Sequence, residues 1–244
     1  MIILRNVFNT LKPARNLIFD YNRRTMSLSN VPVLYGDEAS PPVRFVMMTA
    51  SILKIQLDFR KVDLFLGENK TELYSKINPL HKVPALDTGK QVICDSHAIA
   101  LHLCRQSKHQ DLYPEDNFTR ARVDQMLFFN SGLLFPADSL IFTEYFAGKP
   151  VNTVNVDHWY RLLSYLEGQL RSQPWLAGEK MTLSDLCCGT TISSLQLLVP
   201  ITDQHPKVNE WMKILQQQPC FEINLRGLKR LATMVEKYVT NSKQ

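Results

Sequence analysis

The succession of strand and helix patterns over residues 31–64 limits most strongly what this chain can fold into. Residues 31–35 are a short run of β-type residues, and residues 57–64 alternate in the manner of a strand. Between them, Pro41 and Pro42 suit the opening turn of a helix that has apolar residues at three- and four-residue spacing. Because a helix that joins two strands returns the chain to the same end of the sheet, these strands are predicted to pair in parallel.

Residues 68–106 extend this pattern with a short helix, a β-hairpin and a further helix. Two apolar runs on either side of a turn sequence at 87–90 indicate the hairpin, and Ser96 begins the last helix. The order β-α-β-α-β-β-α fits a small three-layer domain. We therefore predict an N-terminal α/β domain over residues 31–106.

Strand patterns stop after a polar connector at residues 107–117. The rest of the chain contains five amphipathic segments with apolar residues at helical spacing, at 118–146, 154–172, 183–198, 206–217 and 221–238. We therefore predict that residues 118–244 form an all-helical second domain.

The formal net charge of +5 is concentrated at the start of the chain. Residues 1–25 contain five basic residues and one acid, a balance of +4, so the other 219 residues carry +1. A nucleic-acid-binding protein gathers its basic residues on one surface, and the nearly neutral charge of residues 26–244 does not indicate such a surface.

The sequence also argues against a membrane span and against cysteine-based sites. No run of apolar residues approaches the roughly 18 residues that a membrane span requires. Five cysteines without C-x-x-C spacing argue against a zinc site, a dithiol redox motif and a disulfide framework.

Residues 1–30 are expected to form a basic, disordered extension. Their arginine-rich, acid-poor composition is typical of mitochondrial targeting segments. The alternative, which we favour, is that Met26 is the usual initiator and that the protein is cytoplasmic. Mitochondrial localisation is expected if residues 1–25 are translated and act as a targeting segment.

Four short motifs, in order along the chain, resemble those of cytosolic glutathione S-transferases. They are SPPVR at 40–44, NPLHKVP at 78–84, DSHAI at 95–99 and WLAGEKMTLSDL at 175–186. Their spelling is most similar to the insect epsilon class and, within it, to the Noppera-bo group. The resemblance implies a thioredoxin-like N-terminal domain, an all-α C-terminal domain, a homodimer, and a transferase with glutathione as co-substrate and no metal. For that group it also implies a role in ecdysteroid biosynthesis.

The resemblance implies that Ser40 is the catalytic residue, with its hydroxyl donating to the glutathione thiolate. The position suits an anion, because a helix N-terminus presents unpaired N–H groups and the positive end of the helix dipole. A free thiol has a pKa of about 8.5, so a donor that favours the thiolate increases the reactive fraction at neutral pH. The alternative for Ser40 is a simple N-cap.

The resemblance assigns glutathione binding to His81, Val83, Pro84, Asp95, Ser96 and His97. A cis peptide bond before Pro84 would expose the main chain of Val83 to the cysteinyl part of the ligand. Asp95 would bind the γ-glutamyl ammonium, and Ser96, at a helix start, would bind a ligand carboxylate. The alternatives are an edge-strand proline, helix N-caps for Asp95 and Ser96, and surface positions for both histidines.

The resemblance also places a hydrophobic substrate site between the loop after the second strand and the first long helix of the second domain. Its predicted residues are Leu64, Phe65, Leu134, Phe135, Asp138, Ser139 and Phe142, of which several apolar ones could instead belong to the core. Asp138 is unusual there, since an unpaired carboxylate in an apolar pocket is costly. A steroid hydroxyl would relieve that cost; the alternatives are a surface acid or one paired with Arg44 or Arg122.

Thr182 and Asp185 precede an apolar run with the T-x-x-D spacing of a capping box, which predicts a role in folding. Three functions stay open for the whole chain. They are a transferase acting on an apolar, steroid-like substrate, a general detoxification transferase, and a non-catalytic carrier of steroids or other hydrophobic ligands.

Overall fold

A mixed four-stranded sheet organises the N-terminal half of the protein in the computed structural model, which describes residues 31–108 and 111–241. The strands are β1 (Val33–Gly36), β2 (Asp58–Lys61), β3 (Ala85–Asp87) and β4 (Val92–Cys94), in the spatial order β2-β1-β3-β4. β1 pairs in parallel with β2, which confirms the predicted β-α-β unit, and β3 pairs antiparallel with both β1 and β4. The predicted hairpin is therefore β3–β4.

Three α-helices and a 3-10 turn accompany this sheet within residues 31–108. The helices are α1 (Pro41–Ile52), α2 (Glu72–Ser75) and α3 (Ser96–Gln106), and the 3-10 turn is Glu68–Lys70. The short helix predicted before the hairpin is divided at Thr71, whose backbone is extended. The Thr71 hydroxyl accepts a hydrogen bond from Tyr74 N at 3.3 Å, so this residue starts α2 rather than continuing the earlier turn.

The described part of the C-terminal half is helical, as the sequence predicts. Its α-helices are α4 (Asn117–Phe129), α5 (Phe135–Phe146), α6 (Thr153–Gln169), α7 (Leu183–Leu195), α8 (Pro206–Gln216) and α9 (Phe221–Asn241). Together with the sheet and its helices, they form a thioredoxin-like α/β half followed by an all-helical half.

A π-helical segment, Asn130–Leu134, joins α4 to α5 and makes residues 117–146 one continuous helix. Phe135 N donates to Asn130 O, an i to i−5 hydrogen bond. Pro136 follows directly and has no N–H to continue the α-helical ladder, which accounts for an irregular turn here. By length and composition alone Asn117–Phe146 could cross a membrane, but its residues Val123, Met126 and Ile141 lie in the buried core of the helical half.

The largest core cluster joins the two halves. Phe45 and Met48 of α1 pack with buried residues of α4, α6 and α7, and α1 also contacts α9. A smaller cluster around Leu34, Leu86 and Ile99 fills the space between the sheet, α1 and α3. The same helix α1 thus supports the sheet and the helical half, and its residues Pro42 and Phe45 line the cavity described below.

The expectations for residues 1–30, including Met26 as the initiator and a targeting role, lie outside the described residues. The limits predicted for the connector at residues 107–117 stay predictions.

Candidate functional site

A cavity of about 240 Å³ lies between the N-terminal half and the helical half. The β3–β4 region and the start of α3 form one wall, and the π-segment with α7 forms the other. The cavity wall brings together six of the predicted site residues: Val83, Pro84, Asp95, Ser96, His97 and Phe135.

Val83 lies just before β3, and its peptide bond to Pro84 is cis, as predicted. The main-chain oxygen of Lys82, the residue before Val83, accepts hydrogen bonds from Tyr74 Oη at 2.8 Å and from Asn78 Nδ2 at 2.7 Å. These two bonds hold the chain as it enters the cavity wall. Among the described residues, no hydrogen bond uses the main-chain N–H or C=O of Val83. Both groups are therefore available to a ligand.

Asp95 is the N-cap of α3 and adopts a left-handed backbone conformation with φ of 88°. Its Oδ1 atom accepts hydrogen bonds from His97 N at 2.8 Å and Ala98 N at 3.1 Å, so the N-cap role weighed from the sequence is present. The hydrogen bond from the His97 side chain lowers the pKa of Asp95 more than burial raises it, and the N-cap bonds add to the lowering. This carboxylate is therefore an anion at neutral pH, and it lies on the cavity wall.

Ser40 is buried at the residue before α1 but does not line the cavity. Its main-chain O accepts the first hydrogen bonds of the helix from Val43 N and Arg44 N, both at 3.1 Å. Its side chain makes no capping hydrogen bond, unlike that of Asp95. The hydroxyl is thus not used in the N-cap role weighed from the sequence.

His81 is exposed and does not line the cavity, although Leu80 and Lys82 on either side of it do. Its Nδ1 atom lies 3.0 Å from Asn69 O, and Asn69 Nδ2 donates to His81 O at 2.7 Å. The ring is thereby fixed beside the cavity rather than in it. Lys82 lines the cavity without having been predicted from the sequence, although its charge and its place in the same motif could have indicated it.

The predicted hydrophobic-site residues lie in different environments. Leu134 is fully buried in the helical core, Ser139 is exposed, and Leu64 is half-buried with its N–H on Asp37 Oδ2 at 3.1 Å. Phe65 and Phe142 both pack on the ring of Phe146, with ring centroids 6.0 Å apart in each pair.

An aromatic cluster of Phe65, Phe142, Tyr145, Phe146 and Tyr238 therefore covers the end of α5. Three of these rings, from Tyr145, Phe146 and Tyr238, were not predicted. Tyr145 and Tyr238 are far apart in sequence, and spacing within one helix could not have indicated their contact.

Asp138 is buried in the first turn of α5 and does not line the cavity, which excludes the surface position considered above. Its Oδ1 atom has no hydrogen-bond partner among the described residues. Burial raises the pKa of this carboxyl well above its ordinary value, and the nearby charge of Arg44 offsets part of that rise. No ion pair joins Asp138 to another described residue, and the Arg122 side chain donates instead to Gln169 Oε1 at 2.9 Å.

Arg44 is fully buried, and its guanidinium donates to neutral oxygen atoms. Its acceptors are Asn224 Oδ1 at 2.8 Å, Ala39 O at 2.7 Å, Glu38 O at 2.9 Å, Thr190 O at 3.3 Å and Ser194 Oγ. Burial lowers the pKa of Arg44 to about 9, although Asp138 and two other acids act in the opposite direction. This arginine joins α1 to α7 and α9 instead of neutralising Asp138.

The loop between β1 and α1, which ends at Ser40, is held by α9. Asp37 Oδ1 accepts from Arg230 Nε at 2.6 Å, and Asp37 Oδ2 from Arg230 Nη2 at 2.8 Å. Arg230 Nη2 also donates to Asp63 Oδ2 at 3.0 Å, and its guanidinium lies 5.6 Å from the centre of the Phe65 ring. One side chain of the last helix therefore fixes the loops that carry Ser40 and Phe65.

Thr182 and Asp185 lie outside the cavity, at the start of α7. Asp185 Oδ2 accepts from Thr182 N at 2.8 Å, and its Oδ1 accepts from Leu176 N at 2.9 Å and Trp211 Nε1 at 3.0 Å. The carboxylate thus connects the helix start to a loop and to α8, an arrangement suited to folding rather than to chemistry. Within the described residues, no group of three or more His, Cys, Asp or Glu side chains could hold a metal ion.

Two protein families match most of the chain. "Glutathione S-transferase, N-terminal domain" matches residues 34–110, and "Glutathione S-transferase, C-terminal domain" matches residues 133–240. Glutathione S-transferase 1 of Manduca sexta is 39% identical over 196 residues, which are 77% of this chain and 88% of that protein.

Two solved structures are similar over most of their length. An epsilon-class glutathione S-transferase from the housefly, Musca domestica, has a TM-score of 0.81 at 34% identity, over 85% of this chain and 98% of its own. A glutathione transferase homolog from Drosophila mojavensis, with bound glutathione, has a TM-score of 0.81 at 36% identity, over 85% of this chain and 97% of its own. Both halves of the chain are thus similar to the same kind of protein, in the same order.

Proposed function

The chain belongs to the glutathione S-transferase family and is a glutathione transferase, and from this premise we propose how it handles its two substrates. The Ser40 hydroxyl donates to the sulfur of glutathione and favours the thiolate. The thiolate then attacks an electrophilic carbon of an apolar substrate and forms the carbon–sulfur bond, a leaving group such as halide departs with the electron pair of its bond to that carbon, and the thiol proton passes to solvent. A hydrogen bond to a charged group contributes about 1.5–3 kcal/mol, enough to increase the thiolate fraction at neutral pH.

The main observation that supports this proposal is that the main-chain N–H and C=O of Val83 make no hydrogen bond to another described residue. Val83 lines the same cavity as Asp95. An extended peptide pairs readily with a free main-chain N–H and C=O, as the cysteinyl part of glutathione would do at Val83, just before the start of β3. Asp95 then binds the γ-glutamyl ammonium, and Ser96 with the start of α3 binds the adjacent carboxylate. The glycyl carboxylate lies toward His81 and Lys82.

Conjugation of glutathione to a small aryl halide, with Ser40→Ala beside the wild type, tests the role of Ser40. We expect kcat/KM to fall about 10- to 100-fold with little change in glutathione affinity, because the lost hydrogen bond acts on the thiolate. The pH dependence of kcat/KM should also move to higher pH. Ser51→Ala is the matched control, since Ser51 is an exposed serine at the other end of α1. An unchanged rate and pH profile in Ser40→Ala would contradict the assignment.

We also propose that the second substrate is rigid and apolar with a hydroxyl group, such as a steroid. The buried Asp138 carboxylate without a partner among the described residues supports this, because a hydroxyl donor would satisfy Oδ1. Phe135, one turn earlier on α5, lies on the cavity wall and gives the ligand an apolar path toward Asp138. Leu64, Phe65, Phe142 and the aromatic cluster supply the apolar surface of this proposed site.

This second substrate fits placement in the epsilon class, close to the Noppera-bo group, with a role in ecdysteroid biosynthesis. The similarity to the housefly epsilon-class structure supports the class. The homodimer and the cytoplasmic location belong to the same proposal, with mitochondrial location as the alternative if residues 1–25 act in targeting. A general detoxification transferase would turn over many electrophiles and gain nothing from Asp138. A carrier would bind glutathione and steroid without measurable conjugation.

A further inference from the structure

Cys187 is a buried thiol on α7 that lines the cavity, and the proposed conjugation makes no use of it. Its Sγ atom lies 3.2 Å from Nε2 of His97, a residue 90 positions earlier in the chain. The other ring nitrogen of His97, Nδ1, lies 3.4 Å from Asp95 Oδ1. The three side chains therefore form a line from the helical half to the start of α3.

The surroundings of the His97 ring select one tautomer. With the proton on Nε2, the lone pair of Nδ1 would face the negatively charged oxygen of Asp95, which is repulsive. With the proton on Nδ1, that N–H points to the carboxylate and Nε2 is free to accept from the thiol of Cys187. Burial raises the pKa of Cys187 well above its ordinary value, so the thiol keeps its proton and can donate it in a hydrogen bond.

The ring is also held from other directions. The Phe45 ring lies 5.8 Å from it, centroid to centroid, and Ser96 Oγ lies 3.5 Å from Nδ1. All contacts of the Asp95 carboxylate with other described residues are made by Oδ1: the main-chain N–H groups of His97 and Ala98, and His97 Nδ1. Oδ2 is thus left for a ligand, and the orientation of the carboxylate decides where Oδ2 points.

We propose that Cys187 is a positioning residue for glutathione, which acts through His97 on the Asp95 carboxylate. Its S–H group donates to His97 Nε2, fixes the ring with Nδ1–H toward Oδ1, and so directs Oδ2 to the γ-glutamyl ammonium of the ligand. This inference rests on the glutathione site proposed above. It adds a side chain of α7 to a set of proposed glutathione-binding residues that otherwise belong to the N-terminal half.

Steady-state kinetics and calorimetric titration with glutathione, on full-length Cys187→Ala and Cys187→Ser, test this inference. For Cys187→Ala we expect KM and Kd for glutathione to rise about 3- to 10-fold, the effect of one modest hydrogen bond, with kcat and the KM of the aryl halide unchanged. Cys187→Ser should restore most of the affinity, because a hydroxyl is a better donor than a thiol.

Cys188→Ala is the matched control. Cys188 is equally buried on the next position of α7, and its thiol lies 4.0 Å from Met126 O, away from His97. Its replacement should lower the melting temperature about as much as Cys187→Ala does, without changing glutathione affinity. Equal losses of glutathione affinity in both alanine variants, or loss of stability alone in Cys187→Ala, would overturn the inference.

A double-mutant cycle separates action through His97 from a general packing effect. His97→Phe keeps a ring against Phe45 but has no nitrogen atoms, so Cys187→Ala in that background should leave the glutathione KM within about 1.5-fold of His97→Phe alone. A further rise of about 3-fold or more would overturn the inference. Wild-type protein that fails to bind glutathione would overturn the proposed function itself, whereas normal wild-type binding with an unaffected Cys187→Ala variant overturns the positioning role alone.

Discussion

At the scale of single residues, Asp138 and Arg44 show how a buried charge can lack a direct counter-ion. Both side chains are inside the protein and each acts on the pKa of the other, yet Arg44 donates to neutral oxygen atoms. Their separation leaves the cost of burying the Asp138 carboxylate largely uncompensated. That cost is the reason to expect opposite effects of one substitution on stability and on ligand binding.

Asp138→Asn should stabilise the free protein at neutral pH. Because the folded-state pKa of Asp138 lies above its unfolded value, the stability linked to its protonation is fully present below a pH of about 3.9 and is lost as the pH rises through the folded pKa. Asparagine does not ionise, so we expect the free energy of unfolding to rise by about 1 kcal/mol at pH 7, with the difference vanishing near pH 4. Urea unfolding of the wild type and of Asp138→Asn at pH 7 and near pH 4 measures this difference in the free energy of unfolding.

The same variant should bind a hydroxylated steroid about 10-fold more weakly, since the charged acceptor is lost, while conjugation of a small hydroxyl-free aryl halide stays near normal. A more stable protein with weaker steroid binding excludes misfolding as the cause. Equal loss of both activities would argue against Asp138 as part of the substrate site.

At the scale of elements, α9 is connected to the loops after β1 and β2 through Arg230. Burial alone would raise the pKa values of Asp37 and Asp63. The hydrogen bonds of Arg230 to both acids, with those of Lys61 to Asp63 and of two backbone N–H groups to Asp37, lower them instead. The last helix of the chain therefore takes part in holding the loop that ends at Ser40.

Arg230→Met should remove this connection in a pH-dependent way. Since the folded pKa values of Asp37 and Asp63 are lowered, their contribution is present above a pH of about 3.9 and is lost as the pH falls through the folded values. We expect the free energy of unfolding to fall by about 1–3 kcal/mol at pH 7, and this loss should shrink below pH 4, where the two acids are protonated. The loss at pH 7 is modest because Arg230 is partly exposed and solvent weakens its ion pairs. Lys229→Met, at an exposed position on the same helix, should change little; a similar loss there would point to a general charge effect.

Most elements could be predicted from the sequence because their signals are local. Each signal lies within a few residues of the element that it predicts. Examples are the turn before β4, the prolines at the start of α1 and the apolar spacing of α4 to α9. The π-segment could not be predicted this way, because Asn130–Leu134 has no spacing that distinguishes it from an α-helix. The contact of Cys187 with His97 and the aromatic cluster were also missed, since each joins residues that are distant in the chain.

At the scale of the whole molecule, a closely packed contact between α1 and α9 joins the two halves beside the contact of α1 with α7. Gly227 lies so near the β1–α1 loop that an added Cβ atom would be 2.2 Å from Glu38 O and 2.4 Å from Arg44 Cδ. Arg44 cannot move aside without breaking its hydrogen bonds to α7 and α9. The distance between the halves is thus limited by a glycine.

Gly227→Ala should therefore destabilise the whole chain. We expect a loss of about 2–3 kcal/mol in a single cooperative transition, because overpacking here displaces both halves at once. Gly168→Ala is the contrasting control: Gly168 lies in α6, where the added Cβ would meet nothing within 4 Å apart from its chain neighbours and the nearby backbone of its own helix, and the change should stabilise the protein by up to about 1 kcal/mol. Thermal unfolding measures the melting temperatures of both variants. Equal melting temperatures of Gly227→Ala and Gly168→Ala would contradict the close contact at Gly227.

The π-segment also decides where the long helix could change its length. Here Phe135 N–H bonds the carbonyl five residues earlier, Asn130 O, so this turn holds one residue more than an α-helical turn within about the same rotation. Deleting one residue between Asn130 and Leu134 would therefore restore ordinary i to i−4 bonds and leave Phe135 and Asp138 facing about as they do now. A deletion within α4 would instead turn both side chains by about 100°, so homologous chains should lose a residue in this segment more readily than in α4.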